Sequence, residues 1–415
     1  MKKNKKIIQN FKRIIILGFF LSVSNAQETE YKLQFSNNSK QSYWWNEQNN
    51  FGKYPKQNVI DIFLRHNNSK VEYIINLSNA YSQKNKIKFG ETFMKYNFRN
   101  SFIKAGKYYR DFSGYMNDDL SSGSMIISHN AQPINKIGFV GKYSFIKNPN
   151  LNFRYGIAHG EFEKNEFYSD EPFLHEKFIY LDFSRTKEVE FSIGFVHAAM
   201  WAGTTTEIGS DNNIGNQPDT FNDFLKVFIS ADGPKLPGEP HANALGSHIG
   251  IWDFLVQKNN LKFYYQHYFE DTSSLRFANK VDGLWGIEVS NFFKNNTILI
   301  EYLDTSNCCI DPPYQNDNYY NNYQYKGGWR YKNMIIGNPF VNHKADREKM
   351  HLIHLGLKCN FDKNTIKVLG SKKINFTDEI RYGISYERKF AKFDITLFST
   401  GIGSDRSLGF KINIF

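Results

Sequence analysis

The 415-residue sequence predicts an all-β fold, a transmembrane antiparallel β-barrel of about 18 strands. Runs of roughly 8 to 14 residues alternate apolar and polar side chains and end in short turns rich in Asn, Lys, Gly and Ser. Aromatic residues make up 17% of the chain, yet its mean hydropathy is −0.55. Beyond residue 26 no apolar run is long enough for a membrane-spanning helix. Long aromatic strands with one apolar and one polar face therefore favour a membrane barrel.

The chain begins with a predicted secretory signal peptide, residues 1–26. Six basic residues precede the apolar run IIILGFFLSVS, which leads to the small-x-small site Ser24-Asn25-Ala26. We expect Sec-type export with cleavage after Ala26; a short membrane anchor is less favoured because the run is too short to span a bilayer. Without the leader the chain carries 46 basic and 41 acidic residues. This near balance in an exported protein excludes nucleic acid as a partner.

Period-2 alternation defines the barrel strands. Near the C-terminus, Phe393, Ile395 and Leu397 share one face of a run, and Lys392 and Asp394 share the other. Because lipid cannot satisfy the backbone groups of an open sheet edge, such strands must close into a barrel. We predict strands beginning near residues 58, 70, 86, 101, 122, 134, 150, 173, 188, 244, 261, 282, 297, 350, 366, 380, 392 and 408.

The predicted strands divide the mature chain into a pre-barrel segment, residues 27–57, and the barrel, residues 58–415. Counting back from a periplasmic C-terminus assigns each connection to one end of the barrel. Four long connections all fall at the external end: 164–172, 204–243, 272–281 and 306–349. The stretch 112–121 is the exception, because this rather long connection falls among the short periplasmic turns.

One segment, near 220–231, breaks the strand rhythm and predicts a short amphipathic helix. Phe221, Phe224, Leu225 and Phe228 are spaced as on one face of a helix, and Asp219 or Thr220 can cap its N-terminus. The helix could fold into the barrel mouth as a partial lid or pack a loop against the rim. Packing against the rim is favoured, because apolar helix faces exist chiefly to be buried.

The cysteines are sparse and leave their pairing open. Cys308 and Cys309 are adjacent and are therefore poor partners for each other, so a bridge from Cys359 to one of them and three free thiols are both compatible with the sequence.

No catalytic or cofactor motif stands out. The sequence lacks G-x-S-x-G, H-E-x-x-H and a phosphate-binding loop. His351 and His354 lie three residues apart, which places them on opposite faces of a strand and argues against a shared metal. Glu270 and Asp271 are neighbours and also point to opposite faces, so they cannot act as a facing acid/base pair. We expect no enzymatic activity, cofactor or metal.

Two segments are candidates for binding. The stretch YYNNYQYKGGWRYK, within the loop 306–349, combines aromatic rings with amide and cationic donors, a mixture that suits sugars. The polar centre of the hairpin near 270–282 forms an external loop, where binding is favoured over catalysis. Each segment also has a purely structural alternative. The loop 306–349 could collapse on its own aromatic rings, and the charges of the hairpin could form structural ion pairs. The predicted polysaccharide-binding residues are Trp329, Arg330, Tyr323, Tyr325, Glu270, Asp271, Arg276 and Asp282.

Polar residues on the other face of the strands predict a polar lumen. Charges on the wall of a wide barrel are commonly paired across the lumen. The same charges could instead select solutes in a channel. The predicted lumen-lining residues are Gln266, Glu288, Arg381, Glu387 and Lys411.

Four segments carry a family resemblance, within about residues 217–345. In chain order they are DTFNDFLKVFISADG, NALGSHIGIWDF, YYQHYFEDTSSLRFANKVDGLWGIE and NYYNNYQYKGGWRYKNMIIGNPF. Together they resemble the capsule assembly protein Wzi family, in particular its shorter members. The resemblance implies an eighteen-stranded outer-membrane barrel that acts as a surface lectin, helps to anchor capsular polysaccharide and catalyses no reaction.

The expected partners follow from this reading. They are capsular or other surface polysaccharide, outer-membrane lipid and, during biogenesis, the outer-membrane barrel assembly machinery. The terminal Phe415 on a strand resembles the signal by which that machinery recognises barrels. The alternative function is a substrate-selective outer-membrane channel for oligosaccharides or other small solutes.

Overall fold

The computed structural model of the protein describes most of the chain beyond the predicted leader. The predicted signal peptide, with cleavage after Ala26, lies outside the described residues. So do Asp271, Cys308 and Cys309. The described ranges are 28–38, 58–80, 87–145, 148–186, 189–210, 213–235, 242–270, 275–307, 319–342, 349–374 and 380–415.

The regular secondary structure of the described part of the chain is almost entirely β-strand. Its single helix is α1 (Phe221–Ile229), as predicted near 220–231, and no described helix is long and apolar enough to cross a membrane. The strands are β1 (Glu28–Asn38), β2 (Val59–Asn67), β3 (Val71–Ala80), β4 (Ile87–Phe89), β5 (Thr92–Phe98), β6 (Ser101–Tyr108), β7 (Ile134–Phe145), β8 (Asn148–Glu161), β9 (Tyr168–Asp170), β10 (Phe173–Thr186), β11 (Val189–Trp201), β12 (Thr204–Thr205), β13 (Gly215–Asn216), β14 (Ser247–Lys258), β15 (Leu261–Phe269), β16 (Gly283–Phe292), β17 (Asn296–Asp304), β18 (Arg330–Tyr331), β19 (Met334–Ile335), β20 (His351–Phe361), β21 (Asn364–Lys373), β22 (Ile380–Lys389), β23 (Phe393–Ile402) and β24 (Asp405–Ile414).

The main sheet is a closed antiparallel barrel of 18 strands, which confirms the predicted fold class. β4 and β5 pair with the two ends of β3 and together form one interrupted barrel strand. β24 pairs with β1 and closes the ring, so no barrel edge is left open. The short strands β9, β12 and β13 form a small separate sheet, and β18 and β19 form a hairpin.

Two predictions at the N-terminal side were wrong. The barrel begins at Glu28, because β1 pairs with β2 along its length, whereas residues 27–57 were predicted to precede the barrel. The strand predicted near 122 does not exist. Residues 109–133 form an irregular segment that is largely buried, with Gly114 and Asp119 exposed. Its backbone groups bond to side chains of the barrel wall instead of a neighbouring strand. One missed and one surplus strand leave the predicted number unchanged.

The corrected order removes the exceptional connection at 112–121. The segment 109–133 lies at the same end as the connections 162–172, 202–246, 270–282 and 305–350. We call this the long-loop end. We call the opposite end the short-turn end, because its connections have two or three residues, such as 259–260 and 293–295. The start of β1 at Glu28 and the end of β24 at Ile414 also lie there.

The lumen at the long-loop end is filled by two segments. We call residues 109–133 the crossing segment and residues 319–341 the inner loop. The largest hydrophobic cluster joins both segments to the inward faces of the strands, and Leu120, Met125 and Ile126 at its centre are 0% exposed. The hydrophobic core of this barrel therefore lies inside it.

α1 packs against the rim from outside and does not enter the mouth. It contacts residues on the outward faces of β8, β10 and β11, in a second cluster separate from the core in the lumen. Thr220 and Asp223 form a capping box at its N-terminus, and Ser230 ends it in the left-handed conformation. The structure thus supports the rim alternative over the lid.

Candidate ligand-binding site

The crossing segment spans the whole lumen. It leaves the barrel at β6, the fifth strand of the ring, and reaches β20, the fourteenth, which lies on the opposite side. There the His354 ring lies 2.7 Å (Nε2) from the Leu120 carbonyl oxygen. Beside it Lys358 and Lys367 both bind Asp119, at 2.8 and 2.7 Å. Burial alone would raise the pKa of Asp119, but the two lysines outweigh it and hold that pKa well below its usual range.

Two buried carboxylates of the barrel wall fasten the crossing segment. Asp253 on β14 accepts hydrogen bonds from the hydroxyls of Ser113 at 2.5 Å, Tyr180 at 2.6 Å and Tyr115. Glu301 on β17 accepts bonds from the Ser121 hydroxyl and the Ser122 amide, each at 2.6 Å, and from the Tyr264 hydroxyl. Because a buried charge needs such partners, these acids are committed to holding the segment.

Gln266 and Glu288, predicted to line the lumen, both point inward. Gln266 contacts the crossing segment directly, and Glu288 is linked to it through Lys262. Gln266 accepts a bond from the Met125 amide at 2.9 Å and donates one to the Ser113 hydroxyl at 3.1 Å. Glu288 accepts a 2.9 Å bond from Lys262, which also donates to the Tyr115 carbonyl. Neither side chain lines an open pore at this level.

Arg381, Glu387 and Lys411 also lie on inward faces and are half-buried. The Arg381 guanidinium lies 5.8 Å from the ring centre of Phe340 in the inner loop. Glu387 is 3.8 Å from Lys389, and Lys411 lies 5.6 Å from the ring centre of Phe398.

Trp329 and Tyr325 hold the inner loop in place. Trp329 is 2% exposed and donates its indole N–H to the Ile126 carbonyl at 2.7 Å. The Tyr325 hydroxyl donates to the Ala202 carbonyl at 3.0 Å. Both were predicted to contact polysaccharide, but their burial keeps them from any ligand at the surface. The loop collapses on its aromatics because its apolar rings fill the lumen.

The two described acids of the hairpin have the same supporting role. Glu270 accepts bonds from the Tyr268 hydroxyl at 2.7 Å and the Tyr320 amide at 2.9 Å. Asp282 is fully buried and accepts bonds from the Tyr319 hydroxyl at 2.8 Å and the Asn307 amide at 2.9 Å. Burial raises the pKa of Asp282 to about 6. These predicted sugar contacts instead anchor the start of the inner loop.

Arg330 is half-buried beside a depression at the long-loop end. Its Nε donates to the Gly327 carbonyl at 2.7 Å, and its guanidinium lies 5.6 Å from the ring centre of Phe167. We call this the rim depression; it is lined by Phe162, Glu163, Asn165, Tyr168, Gly327, Arg330, Tyr331, Lys332 and Asn333.

The rim depression offers cations, amides and aromatic rings together. Lys332 lies 4.0 Å from Glu163, with each side chain about one-third exposed, and 5.4 Å from the ring centre of Tyr331. An exposed pair this long leaves both groups accessible to a ligand. Arg330 and Lys332 can bind carboxylates or hydroxyls while the ring edges contact C–H groups.

The two remaining described candidates lie elsewhere on the loops. Tyr323 is half-buried, and its hydroxyl accepts a 3.0 Å bond from the Asn243 amide group. Arg276 is exposed in the hairpin between β15 and β16. The structure therefore does not gather the predicted set into one site: four members are supports, one lies outside the described residues, and Arg330 lies in the rim depression.

The sequence profile of the capsule assembly protein Wzi matches residues 1–346 of the chain. The chain belongs to this family. No curated protein compared with it matches. Among solved structures, a triple mutant of the Rhodopseudomonas blastica porin is similar at 8% identity and a TM-score of 0.41, covering 93% of this chain and 99% of the porin. Pseudomonas aeruginosa OccD3 (OpdP) is similar at 8% identity and a TM-score of 0.42, covering 94% and 92% of the two chains.

Membership of the Wzi family gives capsule assembly as the functional class. Together with the closed barrel, it places the protein in the outer membrane.

Sequence reasoning missed the crossing segment of this Wzi family protein. Its signal is the stretch SSGSMIIS at 121–128, where small polar residues precede three consecutive apolar ones without alternation. Such a pattern fits a segment buried on every side, with hydroxyls that bond to the surrounding wall.

Proposed function

We propose that the protein binds capsular or other surface polysaccharide at the long-loop end of a sealed barrel, and so helps to assemble or anchor the capsule without catalysis. The observation that carries the proposal is the crossing segment, which reaches from β6 to the opposite strand β20 and is largely buried. A barrel blocked across its diameter is suited to holding a polymer at its mouth rather than passing solutes.

The proposed contact surface is the rim depression. Arg330 and Lys332 supply positive charge, Asn165 and Asn333 supply amide groups, and Tyr331 supplies a ring edge. Sugar hydroxyls and uronate carboxylates bind such donors, while C–H faces stack on rings. Tyr323 and Arg276 are further candidate contacts, and Asp271 stays a prediction.

Trp329, Tyr325, Glu270 and Asp282 would then act on binding indirectly. They fix the inner loop that carries Arg330 to the rim depression, through the hydrogen bonds described above. The buried acids Asp253 and Glu301 are similarly occupied by the crossing segment, which supports a structural role for them rather than a catalytic one.

A substrate-selective channel is the second candidate function. Arg381, Glu387 and Lys411 are half-buried on inward faces, as groups that line a water-filled passage would be. Such a passage would have to continue past the crossing segment to conduct.

The other proposed partners contact the barrel surface. Apolar side chains on the outward faces, such as Ile179, Ile193 and Ile384, would face outer-membrane lipid. The barrel assembly machinery would act on the C-terminal strand β24, which ends beside the exposed Phe415.

Titration of immobilised wild-type protein with capsular polysaccharide from the same cell tests the proposal. Replacing Arg330→Ala together with Lys332→Ala should weaken binding about tenfold or more, because a charge-assisted hydrogen bond contributes about 1.5–3 kcal/mol. Lys294→Ala is the matched control, an exposed cation in a turn at the opposite end. Equal affinity of the double variant and the control would remove the rim depression from the site.

A further inference from the structure

The outer wall beneath α1 carries an unusual row of polar side chains. His159 on β8 pairs in register with His175 on β10, and His175 and His248 are both in register with Ala199 on β11. His197, two residues before Ala199 on β11, occupies the next outward-facing position toward the short-turn end. On a membrane barrel this face meets lipid, where buried polar groups are costly. We call these four histidines the outer histidine row.

α1 covers this row with one of its faces. The Phe224 ring centre lies 5.3 Å from that of His175 and 5.9 Å from that of His159. The Ser230 hydroxyl lies 3.2 Å from His197 Nε2, and Lys177 on β10 donates to the Phe228 carbonyl. The helix is thus held on the wall through its middle and its C-terminal end.

A second apolar stripe of α1 points away from the barrel. Phe221, Leu225 and Ile229, spaced four residues apart, are 75%, 44% and 72% exposed. Burial of apolar side chains stabilises a protein, so exposure of all three to water would forgo that contribution.

This stripe continues the apolar band of the barrel wall. On β10, the next outward-facing residue after Lys177 toward the short-turn end is Ile179, which is 47% exposed. On β8, the next outward-facing residue from His159 in the same direction is Ile157, which is 38% exposed. The wall itself interrupts the apolar band at the outer histidine row. The outer face of α1 restores an apolar surface at that level.

We propose that α1 is an interfacial lipid anchor whose Phe221, Leu225 and Ile229 insert at the boundary between headgroups and acyl chains of the outer leaflet. Amphipathic helices bind membranes in this orientation, with their axis in the interface plane. The helix shields the outer histidine row from acyl chains and ties the connection 202–246 to the membrane surface.

Site-directed spin labelling of the mature protein in liposomes tests this inference. Nitroxides are attached at Leu225→Cys and Ile229→Cys after the three native cysteines are replaced by Ser. Ile193→Cys is the lipid reference, and Glu166→Cys, at an exposed polar position in the connection 162–172, is the water reference. Collisions of each label with oxygen, which partitions into lipid, are compared with collisions with a water-soluble nickel chelate.

The expected oxygen-to-nickel ratio at Leu225 and Ile229 is close to that at Ile193 and several-fold above that at Glu166. A ratio equal to that at Glu166 would place the stripe in water and overturn the proposal. Spin–spin broadening that disappears on dilution with unlabelled protein would also overturn it, because a second copy would then cover the stripe. Heat modifiability on gels checks that each variant has folded.

Discussion

Asp282 illustrates how a residue chosen from the sequence can be important for another reason. The polar composition of the hairpin predicted a contact with polysaccharide, but it could not reveal that Tyr319 and Asn307, distant in sequence, would bond to Asp282. The same holds for Trp329, whose partner Ile126 lies in the crossing segment. Residue type and the period of the sequence predict on which face of a strand a side chain lies. Whether that side chain is buried depends on which loops fold over that face.

The pKa of Asp282 predicts a pH dependence of stability. The pKa is raised in the folded protein to about 6 from an ordinary 3.8, so the folded state binds more protons between these values and its stability rises as the pH falls through 6 toward 4. The shift corresponds to at most roughly 3 kcal/mol. We expect the heat-modifiability midpoint of the wild type to rise, relative to that of Asp282→Asn, between pH 7.5 and 5. A constant difference between the two proteins would contradict the assignment.

Substitution of His175 by an apolar residue is expected to stabilise the folded protein. The His175 ring is fully buried between Phe224 and Phe228, and among the described residues neither of its nitrogens has a hydrogen-bond partner. His175→Phe should therefore stabilise the protein by about 1–2 kcal/mol, the cost of an unsatisfied buried polar group. Thermal unfolding in detergent measures the change.

His197→Phe is the matched control for this substitution. His197 Nε2 lies 2.9 Å from His248 Nδ1, so its removal breaks a real contact and should destabilise. Equal effects of the two substitutions would contradict the distinction between them.

At the scale of elements, the crossing segment separates this protein from a simple pore. The strands could be predicted because each repeats one pattern over about ten residues. The crossing segment has no repeat, and its position depends on Asp253, Glu301 and Gln266, which lie at least 120 residues further along the chain. Helix α1 could be predicted in the same way as the strands, from the period of its apolar residues. The sequence could not show whether the helix packs against the outer or the inner side of the barrel wall.

Glu301→Gln should loosen the crossing segment. A carboxylate accepts bonds from Ser121, Ser122 and Tyr264 at once, whereas an amide directs one N–H group toward a donor and leaves it unpaired. Conductance of the variant in planar bilayers should exceed that of the wild type. Glu387→Gln removes an inward-facing carboxylate that is bridged to Lys389 and should have no such effect. Equal conductance of both variants would argue against the seal.

At the scale of the molecule, the barrel reverses the usual arrangement in which loops surround an open lumen. The long connections lie at one end, and two of them fold inward to form the hydrophobic core. The barrel, its strand number and the end that carries the long loops were predictable, because closure and alternation constrain every strand. The filled lumen was not, because it results from contacts between loops and opposite walls.

Single-channel conductance of the refolded mature protein in a planar bilayer, with and without capsular polysaccharide, tests the central claim most directly. The account predicts almost no conductance in either condition, together with retention of the polysaccharide by the same preparation. Large, steady conductance that small sugars block would contradict it, because the crossing segment would then leave a passage and the protein would act as a channel.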